Sequence, residues 1–193
     1  MQALPTAPSV TPRRQVFVGT APALGAAATA LGAMLAMWLR YRDAAIAVPG
    51  GSWLPKDVSV PMVPANVMLI ACLPICVFAQ WAVYSAKRQD KPHAGLALGL
   101  VALMALAFIN AQAYIYVQMA VPVNEGAYGA MFYAVTGTVV ALAAIGVVFS
   151  AVVAFRYLGG RTTDVEVVSA HALYWYVFSA AYAVLWFVIY VTK

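Results

Sequence analysis

Residues 94–117 read AGLALGLVALMALAFINAQAYIYV, with no charged side chain from one end to the other. A half-buried strand alternates and ends within about 4–8 residues, whereas this run is continuous and reaches the ~20 residues that a helix needs to cross a bilayer. Four more runs of the same kind flank it: Val16 to Leu39, Val63 to Ser85, Tyr128 to Phe155 and Ser169 to Val191. Strands of an outer-membrane barrel are excluded, because those alternate and stop at ~10 residues. The sequence predicts an all-α, polytopic membrane bundle of five transmembrane helices, at about 16–39, 63–85, 94–117, 128–155 and 169–191. An irregular tail at 1–15, with three prolines, precedes a membrane domain at 16–193.

Composition supports this reading. The 193 residues are 65% hydrophobic and 9% charged, with a mean hydropathy of +0.87, whereas soluble domains carry about 25% charged residues. The net charge of +5 suggests nucleic acid at first sight. The cations, however, sit in short clusters between apolar runs and form no basic face, which argues against a nucleic-acid partner.

Summed by side, Arg13, Arg14, Lys87, Arg88, Lys91, Arg156 and Arg161 lie at one end of the predicted bundle. Arg40, Arg42, Lys56 and Lys193 lie at the other, seven cations against four of the eleven. The richer side is expected to be inside, which puts the N-terminus inside and the C-terminus outside. Arg13 and Arg14 ahead of an Ala-rich run imitate an export signal, but the run is about twice a typical ~7–15-residue apolar core and leads into more membrane, so it is expected to be retained.

One connection is long, from Arg42 to Met62. Its Pro49-Gly50-Gly51, Pro55 and Pro61 predict turns, and Trp53 is expected at the membrane interface. The other loops are tight, making successive helices antiparallel neighbours and leaving no room for a soluble catalytic domain. Small residues recur at helical spacing: Gly25, Thr29 and Ala33; Gly95 and Gly99; Gly146, Ser150 and Ala154. With Gly137, the glycines 95, 99 and 146 are candidate points of close helix packing.

Side chains for chemistry are few. His93 and His171 fall near the same end of their helices, where a bis-His haem or a metal is conceivable, but interfacial polar residues are expected. Cys72 and Cys76 share one helix face around Pro74; without a third ligand they are expected to behave as small hydrophobes, and Pro74 to kink its helix. Asp43, Asp57, Asp90, Glu125, Asp164 and Glu166 all fall in loops or at helix ends, so the intramembrane carboxylates of proton relays are missing. Asn110, Gln112, Gln118, Thr136, Thr138 and Ser179 remain as polar mid-membrane groups suited to hydrogen bonds between helices. The last span is aromatic on every side (Tyr174, Trp175, Tyr176, Phe178, Tyr182, Trp186, Phe187, Tyr190), which favours a subunit of a larger complex.

Several landmarks in order resemble subunit III of the haem-copper (cytochrome c) terminal oxidases, in the short five-helix form. They are Leu35-Ala36-Met37-Trp38-Leu39-Arg40-Tyr41-Arg42, Trp53-Leu54-Pro55, Pro64-Ala65-Asn66, Ala79 to Arg88, Phe108-Ile109-Asn110-Ala111-Gln112-Ala113-Tyr114, Thr136-Gly137 with Gly146 and Arg156, and Tyr174-Trp175. The chain departs from the family at its ionisable positions. The buried family glutamates fall at about Ala27 and Ile115, two histidines at Val139 and Leu142, and the His and Asp of the last helix at Tyr176 and Ser179.

The resemblance implies a non-catalytic subunit without catalytic residues, cofactor or metal of its own. It would lie beside the oxidase catalytic subunit I and other oxidase subunits, with haem and copper in that partner and phospholipid bound to this chain, in a bacterial cytoplasmic membrane. Arg88, Arg156, Arg161 and Trp175 are the candidate phospholipid contacts. The departures also admit the related component of a nitric-oxide reductase system. Outside the family, the competing readings are a small transporter or channel subunit and a bis-His cytochrome.

Overall fold

The computed structural model describes residues 14–124, 126–162 and 164–192; most of the tail expected at 1–15, together with Arg13, Glu125 and Lys193, lies outside them. Five helices are long and apolar enough to span a membrane. They are α1 (Gln15–Ile46), α2 (Met62–Lys87), α3 (Lys91–Met119), α4 (Gly126–Leu158) and α5 (Val165–Trp186), the last continuing as a π-helical turn at Phe187–Val191. The described residues contain no strand.

The helices outrun their apolar segments. α1 continues past Leu39 through Arg40-Tyr41-Arg42-Asp43 to Ile46, because hydropathy ends where the lipid does while backbone hydrogen bonding goes on into the polar zone. Asp90 starts α3 by accepting a hydrogen bond from the His93 N–H, with Pro92 in the first turn. A proline there removes only an N–H that had no helical partner. At the other end of α3, Ala120 adopts a left-handed conformation (φ 45°) that stops the helix. Pro74 is accommodated inside α2, which continues on both sides of it from Met62 to Lys87.

α2, α3, α4 and α5 form a four-helix ring, in which α3 packs on α2 and α4 and α5 packs on both of those, while α1 lies outside against α4 and α5. α1 therefore buries one stripe, Leu24, Leu31, Leu35 and Trp38, at the spacing of one helix face. The ring encloses Ile75, Ala79, Leu98, Val101, Phe132, Ala143 and Tyr182. Phe108 stands edge-on to Phe178 and Tyr182, at centroid distances of 5.4 and 4.7 Å. The outside is apolar too: Val63, Ile70, Leu73, Leu103 and Phe155 are each more than half exposed, the surface expected where lipid is the solvent.

Contacts tie the helix ends into two faces. On the N-terminal face, where α1 begins, the Phe17 N–H donates to Glu166 Oε1 at 2.9 Å, Gln89 Nε2 to the Thr162 carbonyl at 3.0 Å, and the Tyr157 hydroxyl to the Ala86 carbonyl at 3.3 Å. On the opposite face, Trp186 Nε1 donates to Asn66 Oδ1 at 3.1 Å and the Tyr190 hydroxyl to Gln112 Oε1 at 3.1 Å. Trp53 belongs to this second face but not to an open interface. It is buried edge-on against Trp38 at 5.0 Å and against Tyr128 at 5.3 Å, because the connection at 47–61 folds back over the ends of α1 and α4.

Candidate functional site

The N-terminal face gathers the polar turns. In the α2–α3 turn Gln89 takes a positive φ of 61°, which reverses the chain between antiparallel helices. Arg88, one of the residues singled out above, lies with its guanidinium 5.3 Å from the Tyr84 ring centre, and its Nη1 donates to the Tyr84 hydroxyl at 2.8 Å. Asp90 faces His93, whose Nδ1 is 2.8 Å from Asp90 Oδ2. The His93 ring and then its backbone N–H hold the Asp90 carboxyl below the usual carboxylate range. Trp81, Tyr84, Ser85, Arg88, Asp90 and His93 together line a cavity of about 260 Å³.

The other three predicted lipid contacts fare differently. Arg156 is engaged by Asp164 through Nε at 3.2 Å and Nη2 at 2.6 Å. Arg161 is exposed in the α4–α5 turn. Trp175 does not reach lipid at all: it is fully buried, and its indole N–H donates to His171 Nε2 at 3.0 Å. The α5 face that carries it turns toward α4, an orientation that an all-round aromatic helix does not reveal.

Trp175 belongs to a buried polar knot between α4 and α5. Ser150 Oγ lies 2.7 Å from His171 Nε2 and 2.8 Å from the Gly146 carbonyl, one turn back. An indole N–H can only donate, so Nε2 accepts and the ring proton sits on Nδ1. His171 is thus a core residue rather than an interfacial one. It stands in the core between α4 and α5, whereas His93 stands at the exposed α2–α3 turn beside Asp90, so the two imidazoles serve different surroundings. The sequence did carry a signal for the knot: Gly146 with Ser150 and His171 with Trp175 are both i,i+4 pairs.

The candidate packing glycines divide. A Cβ at Gly146 would meet the Trp175 ring at 2.6 Å and the Tyr174 ring at 2.8 Å, and one at Gly95 would meet a methyl of Leu158 at 2.9 Å. At Gly99 and Gly137 a Cβ would meet nothing within 4 Å. These two are not contact points inside this chain.

The remaining polar groups serve mainly as links. Tyr116 and Thr136 join α3 to α4 at 2.8 Å. Cys76 Sγ lies 3.3 Å from Ser179 Oγ, so this thiol takes part in a weak α2–α5 hydrogen bond as well as packing, while Cys72 is buried. Asn110 and Gln118 are exposed. Among the described residues no three His, Cys, Asp or Glu side chains group as a metal site.

Of the six positions where the family resemblance calls for ionisable groups, Tyr176 and Ser179 carry hydroxyls, bonded to Gln80 at 2.6 Å and to Cys76 at 3.3 Å, and the other four are apolar. Ile115 is fully buried and Val139 nearly so. Ala27 and Leu142 line an apolar groove between α1, α4 and α5.

Comparison with known proteins agrees with these landmarks. The chain is 28% identical over 144 residues to "Cytochrome c oxidase subunit 3" of Cyprinus carpio and 26% identical over 147 residues to that of Sus scrofa. Each match covers 72% of this chain and 55% of the relative. A bacterial relative, "Probable cytochrome c oxidase subunit 3" of Rickettsia bellii, is 28% identical over 120 residues, 59% of this chain and 42% of the relative. The chain thus spans about half the length of the curated relatives it matches. A family model, cytochrome c oxidase subunit III, matches residues 32–193, from the middle of α1 through all of α2 to α5. This multi-pass membrane protein belongs to the cytochrome c oxidase subunit III family.

Proposed function

We propose that the chain is an accessory, non-catalytic subunit of a haem-copper terminal oxidase in a bacterial cytoplasmic membrane, with its N-terminus inside. Its partner would be the catalytic subunit, which holds the haem and copper, reduces oxygen with electrons from cytochrome c or quinol, and pumps protons. The observation that carries this reading is the match to the family across the whole ring, joined to a core that, among the described residues, buries no Asp or Glu where a proton path needs acids. A chain so filled contributes packing, lipid and support. An apolar groove between α1 and α5, lined by Ala28, Leu31, Gly32, Leu35, Val177 and Val184 among others and about 310 Å³ in volume, suits a lipid acyl chain.

The test is affinity purification in mild detergent through a tag on the chain, with an optical spectrum and partner masses read from one sample. Co-purifying haem and copper on a large multi-helix subunit is the expected result. A colourless chain without partners would overturn the assignment and direct attention to transport assays.

A further inference from the structure

The cavity at the α2–α3 turn has a composition that topology signalling does not require. Positive-inside sorting needs only cations, whereas this cavity sets a cation and a carboxylate against two aromatic rings. Arg88 is steadied by Tyr84, which occupies one edge of its fork and leaves other N–H groups for an acceptor. Phosphate oxygens are the acceptor that a guanidinium fork matches best. Asp90 has each of its oxygens in contact with His93, but a carboxylate offers about four lone-pair sites. With its carboxyl held low, it stays anionic at neutral pH. Trp81, tilted against His93 at 6.0 Å, adds an indole, the ring that attracts ammonium groups most strongly.

The surroundings select a lipid over a soluble molecule. On α2, Ile70, Val77 and Tyr84 form one exposed row that leads up to Trp81 and Arg88; on α3, Leu96 and Leu103 continue an exposed row from His93. Both rows descend from the cavity along the outside of the bundle, so a molecule whose polar end fills the cavity meets two parallel apolar tracks. The cavity holds a polar group several waters in size, at about 30 Å³ for each water.

We propose that the α2–α3 turn is a headgroup site for a phospholipid bearing both phosphate and ammonium, with the phosphate on Arg88, the ammonium between Asp90 and Trp81, and the acyl chains on the exposed rows of α2 and α3. This deepens the reading that the chain carries bound phospholipid, assigning a headgroup class to one of its sites.

The purified chain in detergent would be titrated with equimolar phosphatidylethanolamine and phosphatidylglycerol of identical acyl chains, and the adducts counted by native mass spectrometry. Wild type is expected to favour phosphatidylethanolamine. Arg88→Gln should lower that adduct about tenfold, the loss typical of one charge-assisted contact. Asp90→Asn should erase the preference while keeping total lipid binding; Asn caps α3 as well as Asp does, so the fold is retained. Lys56→Gln, which removes a cation on the opposite face, should change nothing.

Equal adducts in wild type, or a preference that survives Asp90→Asn, overturns the proposal. Displacement of the lipid by soluble glycerophosphoethanolamine at equal concentration overturns the lipid assignment. The outcomes are separable from those of the purification above: a chain that brings down the oxidase yet shows no headgroup preference refutes only this site.

Discussion

Two clusters lie toward opposite faces of the bundle, and both are built on tryptophan. At the α4–α5 knot, Trp175 is held by directed bonds: its N–H donates to His171 Nε2, with Ser150 Oγ also within 3.3 Å. At the α1–α4 clamp, Trp38, Trp53 and Tyr128 meet ring to ring, and Trp38 Nε1, Trp53 Nε1 and the Tyr128 hydroxyl have no partner among the described residues. The knot joins two helices of the ring at one fixed register. The clamp closes a loop over helix ends by shape alone. In lipid, where apolar burial drives helix association little, directed bonds and close packing decide register, and the clamp relies on ring contacts worth about 0.5–1.5 kcal/mol per pair beyond burial.

The contrast can be broken from both sides. The largest effect is expected from Trp38→Ala, which empties the centre of the clamp and should cost about 3–5 kcal/mol. Thermal unfolding in detergent measures this, and a change below about 1 kcal/mol would show that the loop and not the ring holds the helix ends. Next comes Gly146→Ala. Its new methyl meets the rigid faces of Trp175 and Tyr174, so overpacking should cost about 1–3 kcal/mol; a neutral result would mean that α4 and α5 slide apart freely.

The sharpest comparison pairs Trp175→Phe with Trp38→Phe. Both remove one indole N–H, but only the first takes a partner from a buried acceptor, so it should cost about 1–2 kcal/mol more than its counterpart. Equal losses, read from the two unfolding midpoints, would erase the distinction between knot and clamp. The smallest effect is expected at Gly137, where a methyl has open space. Gly137→Ala should leave the isolated chain within about 0.5 kcal/mol of wild type. A loss of co-purified partner subunits in that variant alone would mark this face of α4 as a docking surface.

How legible each feature was follows from how local its cause is. The five spans were readable because a helix in lipid must satisfy its own backbone and show apolar side chains throughout its length, which is a property of the run itself. Helix ends were less readable: α1 ends at Ile46 and not near Leu39 because charged residues propagate a helix as well as end a hydrophobic run. The α2–α3 turn was readable as a cluster of cations around Arg88, but not as a cavity that also includes Asp90, His93 and Trp81. His171, Trp175 and Trp53 were misplaced for one shared reason. An aromatic or imidazole at the end of a span has the same local pattern whether it faces headgroups or a neighbouring helix, and only the neighbour decides.

The sequence by itself determined the number of spans, the bundle class, the lack of carboxylates inside the membrane and the likeness to an oxidase subunit family. Each of these follows from which residues occur in which run. The tertiary structure alone decided which glycine is a contact, which arginine is engaged and which tryptophan is buried. These depend on helix rotation, and in a bundle apolar on all sides the hydrophobic pattern leaves rotation open. It is closed instead by a few directed bonds, such as that from Trp175 to His171, and by the one place on α4 where only a glycine fits against two aromatic rings.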